Sequence, residues 1–148
     1  MVDKYIRPDF LKAGDTIGVV AFASVVSQQQ KLSRWREIFE SWGLKVKESD
    51  HLYDSYLREL SAPGKDRASD FIKFLLDDEI KAIISFRGGY GSMRTLSIMD
   101  FEQIKNHPKW IVGFSDITAL HYAIKKCGVE SILGSMPSTI LKFAEEPN

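Results

Sequence analysis

The stretch Trp110-Ile111-Val112-Gly113-Phe114-Ser115-Asp116-Ile117-Thr118 puts a serine where an apolar run stops and a helical pattern begins. A hydroxyl at such a bend stands clear of both elements, and the helix that follows offers free N–H groups to a developing oxyanion. Ile117 occupies the place of the last glycine in a G-x-S-x-G elbow, so Ser115 reads either as a nucleophile or, with Asp116, as a helix cap. A second unusual segment is Arg87-Gly88-Gly89-Tyr90-Gly91. Successive glycines permit positive φ and expose amides, which suits an oxyanion hole, an anion-binding nest or a plain tight turn. The segment lacks the Lys-Ser/Thr ending of a Walker A loop and the spacing of G-x-G-x-x-G. Arg87, Tyr90 and Arg94 are candidates to grip a substrate carboxylate, with ordinary surface groups as the alternative.

A hydrolytic serine needs a base. His51 falls in a polar segment, His107 precedes Pro108, and His121 lies on the helix that Ser115 begins. Helical rise sets His121 about 9 Å from Ser115 along the axis and on another face, so it reads as a packed helix residue. The three histidines make no metal-ligand spacing, and neither a metal nor a cofactor is expected. The residues thus supply a nucleophile and oxyanion donors without a general base.

These residues need rigid elements to hold them. Thr16 to Ala21 and Ile80 to Phe86 are apolar runs without alternation, as in strands covered on both faces, and Lys109 to Gly113 is a third strand. Shorter strands are expected at Leu44 to Val46 and Ser131 to Leu133. Helices are expected from Leu32 to Gly43 after a Ser27 cap, from Asp66 to Leu76, and from Ser115 to Cys127. In the second of these, Ala68, Phe71, Ile72, Leu75 and Leu76 form the buried stripe while Lys65, Arg67 and Lys73 reach water. Short helical pieces follow Gly91 and Asp100. Asp50 to Gly64 reads as a surface excursion. The alternation predicts an α/β fold of Rossmann-like, three-layer type with a mostly parallel sheet. In such a sheet the site lies beyond the carboxyl ends of the strands, at Ala21 to Ser24, Arg87 to Gly91 and Gly113 to Asp116.

The chain has 148 residues, 20 basic and 20 acidic side chains, one cysteine and 44% hydrophobic residues. That excludes a disordered chain, a disulfide framework and a thiolate metal cluster. The balanced charge gives no reason to expect a nucleic-acid or membrane partner. With no signal-like start and no membrane-length apolar run, a cytoplasmic protein is expected.

The glycine segment and Gly113-Phe114-Ser115-Asp116-Ile117-Thr118 together resemble the LD-carboxypeptidase family, the S66 serine peptidases that include microcin C immunity proteins. Leu11 to Ile17, Gly64 with Asp66-Arg67-Ala68 and Asp70, and Ile80 to Ile83 extend the resemblance along most of the chain. It implies a glutamine-amidotransferase-like N-terminal domain over residues 1–143, with 144–148 starting a linker to a C-terminal domain that carries a catalytic Glu and His. Ser115 would be the nucleophile, and the amides of Asp116 and Gly89 the oxyanion donors. Ser24, Arg87, Gly88, Tyr90 and Arg94 would bind substrate. The implied substrate is a muropeptide or short peptide, cleaved at an L,D bond to release D-alanine in cell-wall recycling, and the implied assembly is a homodimer. One alternative is an immunity hydrolase acting on acyl-nucleotide amides. Another is a silent muropeptide-binding domain, since this chain alone lacks a base. Phe22, where the family commonly has Pro, and Leu133 to Pro137, in place of its His-Gly-Pro-Met, depart from the pattern.

Overall fold

The computed structural model describes residues 5–145. Strands β1 (Thr16–Val20), β2 (Lys45–Glu48), β3 (Ile80–Ser85), β4 (Trp110–Gly113) and β5 (Ile132–Leu133) form one sheet in the order β2-β1-β3-β4-β5. Each of these pairings is parallel. The connections carry helices α1 (Gln28–Lys31), α2 (Trp35–Ser41), α3 (Gly64–Leu76), α4 (Ser92–Leu96), α5 (Glu102–Asn106), α6 (Thr118–Lys126) and α7 (Pro137–Glu145).

The central strands β1, β3 and β4 are largely apolar because each face meets helices, whereas the edge strand β2 alternates Lys-Val-Lys-Glu. Val20, Ile80, Ile83 and Ile111 join Phe71, Phe74, Leu96, Ile104, Leu120 and Ile124 in one cluster. Ile17, Val19, Ala82 and Ile84 alternate with them and join Trp35, Phe39 and Leu141 in another. Helices α3 to α6 therefore cover one face, and α2 and α7 the other. Each fully buried large side chain contributes about 1.5–3 kcal/mol by leaving water, which makes the sheet a rigid platform for what hangs from its ends.

Several local expectations change. The helix expected from Leu32 begins at Trp35, because Ser27 and Gln30 close a capping box around the separate short α1. Leu32 itself is exposed. The Asp50 to Gly64 excursion is only partly a surface feature: Leu52, Leu60, Ser61 and Ala62 are buried. Ser61 donates through its hydroxyl to the Ala21 carbonyl at 2.7 Å, tying the segment over the end of β1. Arg67 does not reach water. It is 2% exposed and hydrogen bonded to carbonyls of neighbouring loops. The helix expected from Ser115 opens as a 3-10 turn, Ser115–Ile117, before α6. Helix α7 was not anticipated at all. It continues through Glu145, over the first two residues of the expected 144–148 linker, and residues 146–148 lie outside the described residues.

Candidate active site

The adjacent strands β1, β3 and β4 deliver Ser24, the Arg87 to Gly91 loop and Ser115 to one edge of the sheet. At the end of β4, Phe114 is extended and Ser115 turns to φ +61°, a left-handed conformation that costs a non-glycine residue on the order of 1 kcal/mol. Ser115 is exposed while Ile117, two residues on, is buried. The core thus holds both ends of the bend and leaves the hydroxyl in solvent.

The glycine loop presses against this bend. A Cβ on Gly88 would stand 3.1 Å from Ser115 Cβ and 3.3 Å from the Asp116 nitrogen, so any larger residue would push the loop and the bend apart by a few tenths of an ångström. On the other side of the loop, Gly89 has φ +108° and lies against Ser24, whose Oγ would be 2.2 Å from an added Cβ. Ser24 stitches the loop at two points: its amide donates to the Gly88 carbonyl at 3.4 Å, and its hydroxyl accepts from the Tyr90 amide at 3.0 Å. Gly89 and Tyr90 are exposed, whereas Gly88 and Gly91 are buried.

The charged candidates divide. Arg87 donates to the Val25 carbonyl at 3.3 Å and lines a cavity of about 260 Å³ with Ser27, Gln30, Ser138 and Lys142. Arg94 and Tyr90 are both exposed and form a pair, with a hydrogen bond of 3.2 Å and the guanidinium 5.2 Å from the ring centre. Asp116 sends its carboxylate away from the solvent edge to accept from the Ser92 amide at 2.9 Å.

The histidines are occupied elsewhere. His121 Nε2 lies 2.8 Å from the Gly113 carbonyl, which can only accept, so Nε2 carries the hydrogen; Nδ1 meets the Ser131 hydroxyl at 2.8 Å. It braces the end of β4, two residues before Ser115. His51 Nδ1 is 2.9 Å from buried Asp70, a hydrogen bond that holds its pKa above the ordinary histidine value. His107 lines a cavity of about 420 Å³ at the opposite end of the sheet. Among the described residues no hydrogen bond joins Ser115 to a histidine or carboxylate, and no group of three His, Cys, Asp or Glu side chains is arranged to hold a metal. Nor is any described helix long and apolar enough to cross a membrane.

Sequence reasoning missed two residues that shape this edge, Arg67 and Ser92. Arg67 had a signal, since it stands one and two helical turns before the buried Phe71 and Phe74. The role of Ser92 is carried by its backbone amide, which no residue type announces.

A parallel sheet with helices packed on both faces defines the class of three-layer α/β domains of glutamine-amidotransferase-like type. Within it, this chain belongs to the LD-carboxypeptidase N-terminal domain family, whose profile matches residues 17–134. The chain is 37% identical over 134 residues to the Bacillus subtilis "Probable murein peptide carboxypeptidase", covering 90% of this chain and 41% of that protein. It is 32% identical over 140 residues to the microcin C7 self-immunity protein MccF of Escherichia coli, covering 93% and 40%. The chain therefore spans less than half the length of these relatives. The solved structure of MccF with aspartyl sulfamoyl adenosine superposes with a TM-score of 0.82 at 30% identity, covering 97% of this chain and 42% of that one.

Those neighbours correct one expectation. The implied ligand was a muropeptide or short peptide. The similar MccF structures instead hold adenosine monophosphate, glutamyl sulfamoyl guanosine and aspartyl sulfamoyl adenosine, all nucleotide-type ligands.

Proposed function

We propose that this chain is the nucleophile-bearing part of a serine hydrolase that cleaves the amide bond of acyl-nucleotide conjugates. The observation that carries the reading is the exposed Ser115 at φ +61°, with the glycine loop packed against its Cβ. Ser115 Oγ adds to the acyl carbon and yields its proton to a general base, and the amides of Asp116 and Gly89 receive the carbonyl oxygen as it becomes an oxyanion. The C–N bond then breaks, the nitrogen leaves protonated, and water releases the acyl group from Ser115. Ser24, Gly88 and the Tyr90–Arg94 pair border the acyl portion, with Arg87 behind the loop. The base belongs to a C-terminal domain that supplies a Glu and a His. Support for the substrate class comes from the acyl sulfamoyl nucleosides held by MccF, whose acyl–nitrogen linkage is the kind of bond this serine would attack.

The test is hydrolysis of aspartyl sulfamoyl adenosine by the full-length protein, followed by mass spectrometry. The expected result is release of aspartate by the wild type and its loss in Ser115→Ala. Unchanged hydrolysis by the Ser115→Ala variant overturns the serine mechanism, and no cleavage by the wild type overturns the substrate class.

A further inference from the structure

Two residues of opposite charge converge on a single peptide group behind the glycine loop. The Gly91 carbonyl, besides opening the hydrogen bonding of α4, accepts from Arg67 Nη1 at 3.1 Å. The nitrogen of the same peptide group belongs to Ser92, and its N–H donates to Asp116 Oδ2 at 2.9 Å. A guanidinium therefore polarises the carbonyl end while a carboxylate polarises the N–H end. Both bonds are charge-assisted, and each strengthens the other through the peptide dipole.

The surroundings make the arrangement stiff. Arg67 is 2% exposed, and Gly91 and Ser92 are buried. Arg67 also donates through Nε to the Ala62 carbonyl at 2.9 Å and through Nη1 to the Phe22 carbonyl at 2.9 Å, so it is anchored to the segment after β1 and the entry to α3. Burial lowers its pKa, opposed in part by the Asp116 charge, but a guanidinium remains a cation. Gly91 has φ +114°, and an added Cβ would lie 2.8 Å from Arg67 Nη1, so the glycine is what lets the guanidinium reach its carbonyl. Asp116 for its part adjoins Ser115 in the chain. The clamp thus runs from the framework, through one peptide of the glycine loop, to the residue beside the candidate nucleophile.

We propose that Arg67 and Asp116 are positioning residues that hold the Gly91–Ser92 peptide between a buried cation and a carboxylate, and thereby set the glycine loop at a fixed distance from the Ser115 bend. The consequence for turnover rests on the hydrolase reading above; the clamp itself does not. An oxyanion site works only when its donors are in place before charge develops, so a loosened clamp lowers kcat and leaves KM nearly unchanged.

Amide hydrogen exchange at Ser92, followed by NMR in the full-length protein, tests the clamp. Asp116→Asn accelerates exchange of that amide by about tenfold or more, because it loses a charged acceptor. Arg67→Met accelerates it too, although Arg67 never touches that N–H, and the milder Arg67→Lys, which keeps the charge without the fork, gives an intermediate rate. In turnover of aspartyl sulfamoyl adenosine, Arg67→Lys and Asp116→Asn each lower kcat by about tenfold, and the double variant falls no further than the weaker single one, as expected of two residues acting through one group. An unchanged Ser92 exchange rate in both folded Arg67 variants overturns the proposal, as does a double variant whose losses in kcat multiply. Should Arg67→Met fail to fold, Arg67→Lys alone decides. If the wild type does not cleave the conjugate, the proposed function falls and the exchange measurement still judges the clamp.

Discussion

At the amino end of the sheet Lys109, 8% exposed, donates to the Phe74 carbonyl at 2.9 Å and to the Asp77 carbonyl. At the carboxyl end Arg67, 2% exposed, donates to the Ala62, Phe22 and Gly91 carbonyls. Both are buried cations, and among the described residues neither has a carboxylate in direct contact. Lys109 spends its donors on the end of one helix, α3, where orphan carbonyls and the helix dipole favour a positive charge. Arg67 spends Nε and Nη1 on three separate loops. The first arrangement finishes an element that already exists, and the second fixes elements relative to one another. The cavity volumes teach the same lesson: the amino end has about 420 Å³ beside Lys109, while the cavity beside Arg87 at the other end has about 260 Å³. Space alone does not single out the candidate site; what sets that end apart is the serine at positive φ and the cross-linked loops.

The comparison breaks first on activity. In the full-length protein Ser115→Ala lowers turnover by about 10³-fold or more, as measured by steady-state hydrolysis, with no comparable loss from any amino-end variant. Next comes stability by urea unfolding. Arg67→Met, which leaves several buried carbonyls without their donor, costs about 3 kcal/mol and Lys109→Met about 2 kcal/mol, but only the former lowers turnover per folded molecule. Equal turnover losses from both would erase the distinction between the ends. Gly88→Ala forces the loop from the Ser115 bend and costs about 1–2 kcal/mol, read as a lower urea midpoint. Ser115→Gly relieves the positive φ and raises stability by about 1 kcal/mol, showing that strain is stored at the carboxyl end. The smallest effect is in pH. The His51 pKa is raised by its hydrogen bond to Asp70, so that contribution is complete below the ordinary histidine value of about 6.5 and is lost as pH rises through the raised value. Melting temperatures of the wild type fall over that interval, and His51→Gln flattens the fall.

What the sequence made legible follows from where information is local. Unbroken apolar runs announced β1 and β3, and the abrupt change at Gly113 to Asp116 announced the bend, because both depend on neighbouring residues. Arg67 was misplaced because charge on a helix reads as a solvent face, and its carbonyl partners come from segments that only the fold brings near. Helix α7 escaped because its burial comes from Ile140 and Leu141 packing in the cluster that holds Trp35 and Phe39, a contact spanning about a hundred residues of chain. For a base beside Ser115 the sequence offered no convincing histidine, and among the described residues none hydrogen bonds to it. Three histidines were easily followed, and the structure engages His51 and His121 in other hydrogen bonds and puts His107 at the far end of the sheet.

The strand order has a kinetic consequence. From β1 the chain steps outward one way to β2 and then crosses back to β3, so the winding reverses between β1 and β3 and no connection bridges that gap directly. Ser24 bridges it with its amide and its hydroxyl. The exposed tip of the loop, Gly89 and Tyr90, rests on those two bonds, so it opens locally while the buried base of the loop and the strands stay protected. The Tyr90 amide, held by one serine hydroxyl at the exposed tip of the loop, therefore exchanges with solvent sooner than the amides of β3, while the Ser92 amide at the clamped base stays protected with the sheet.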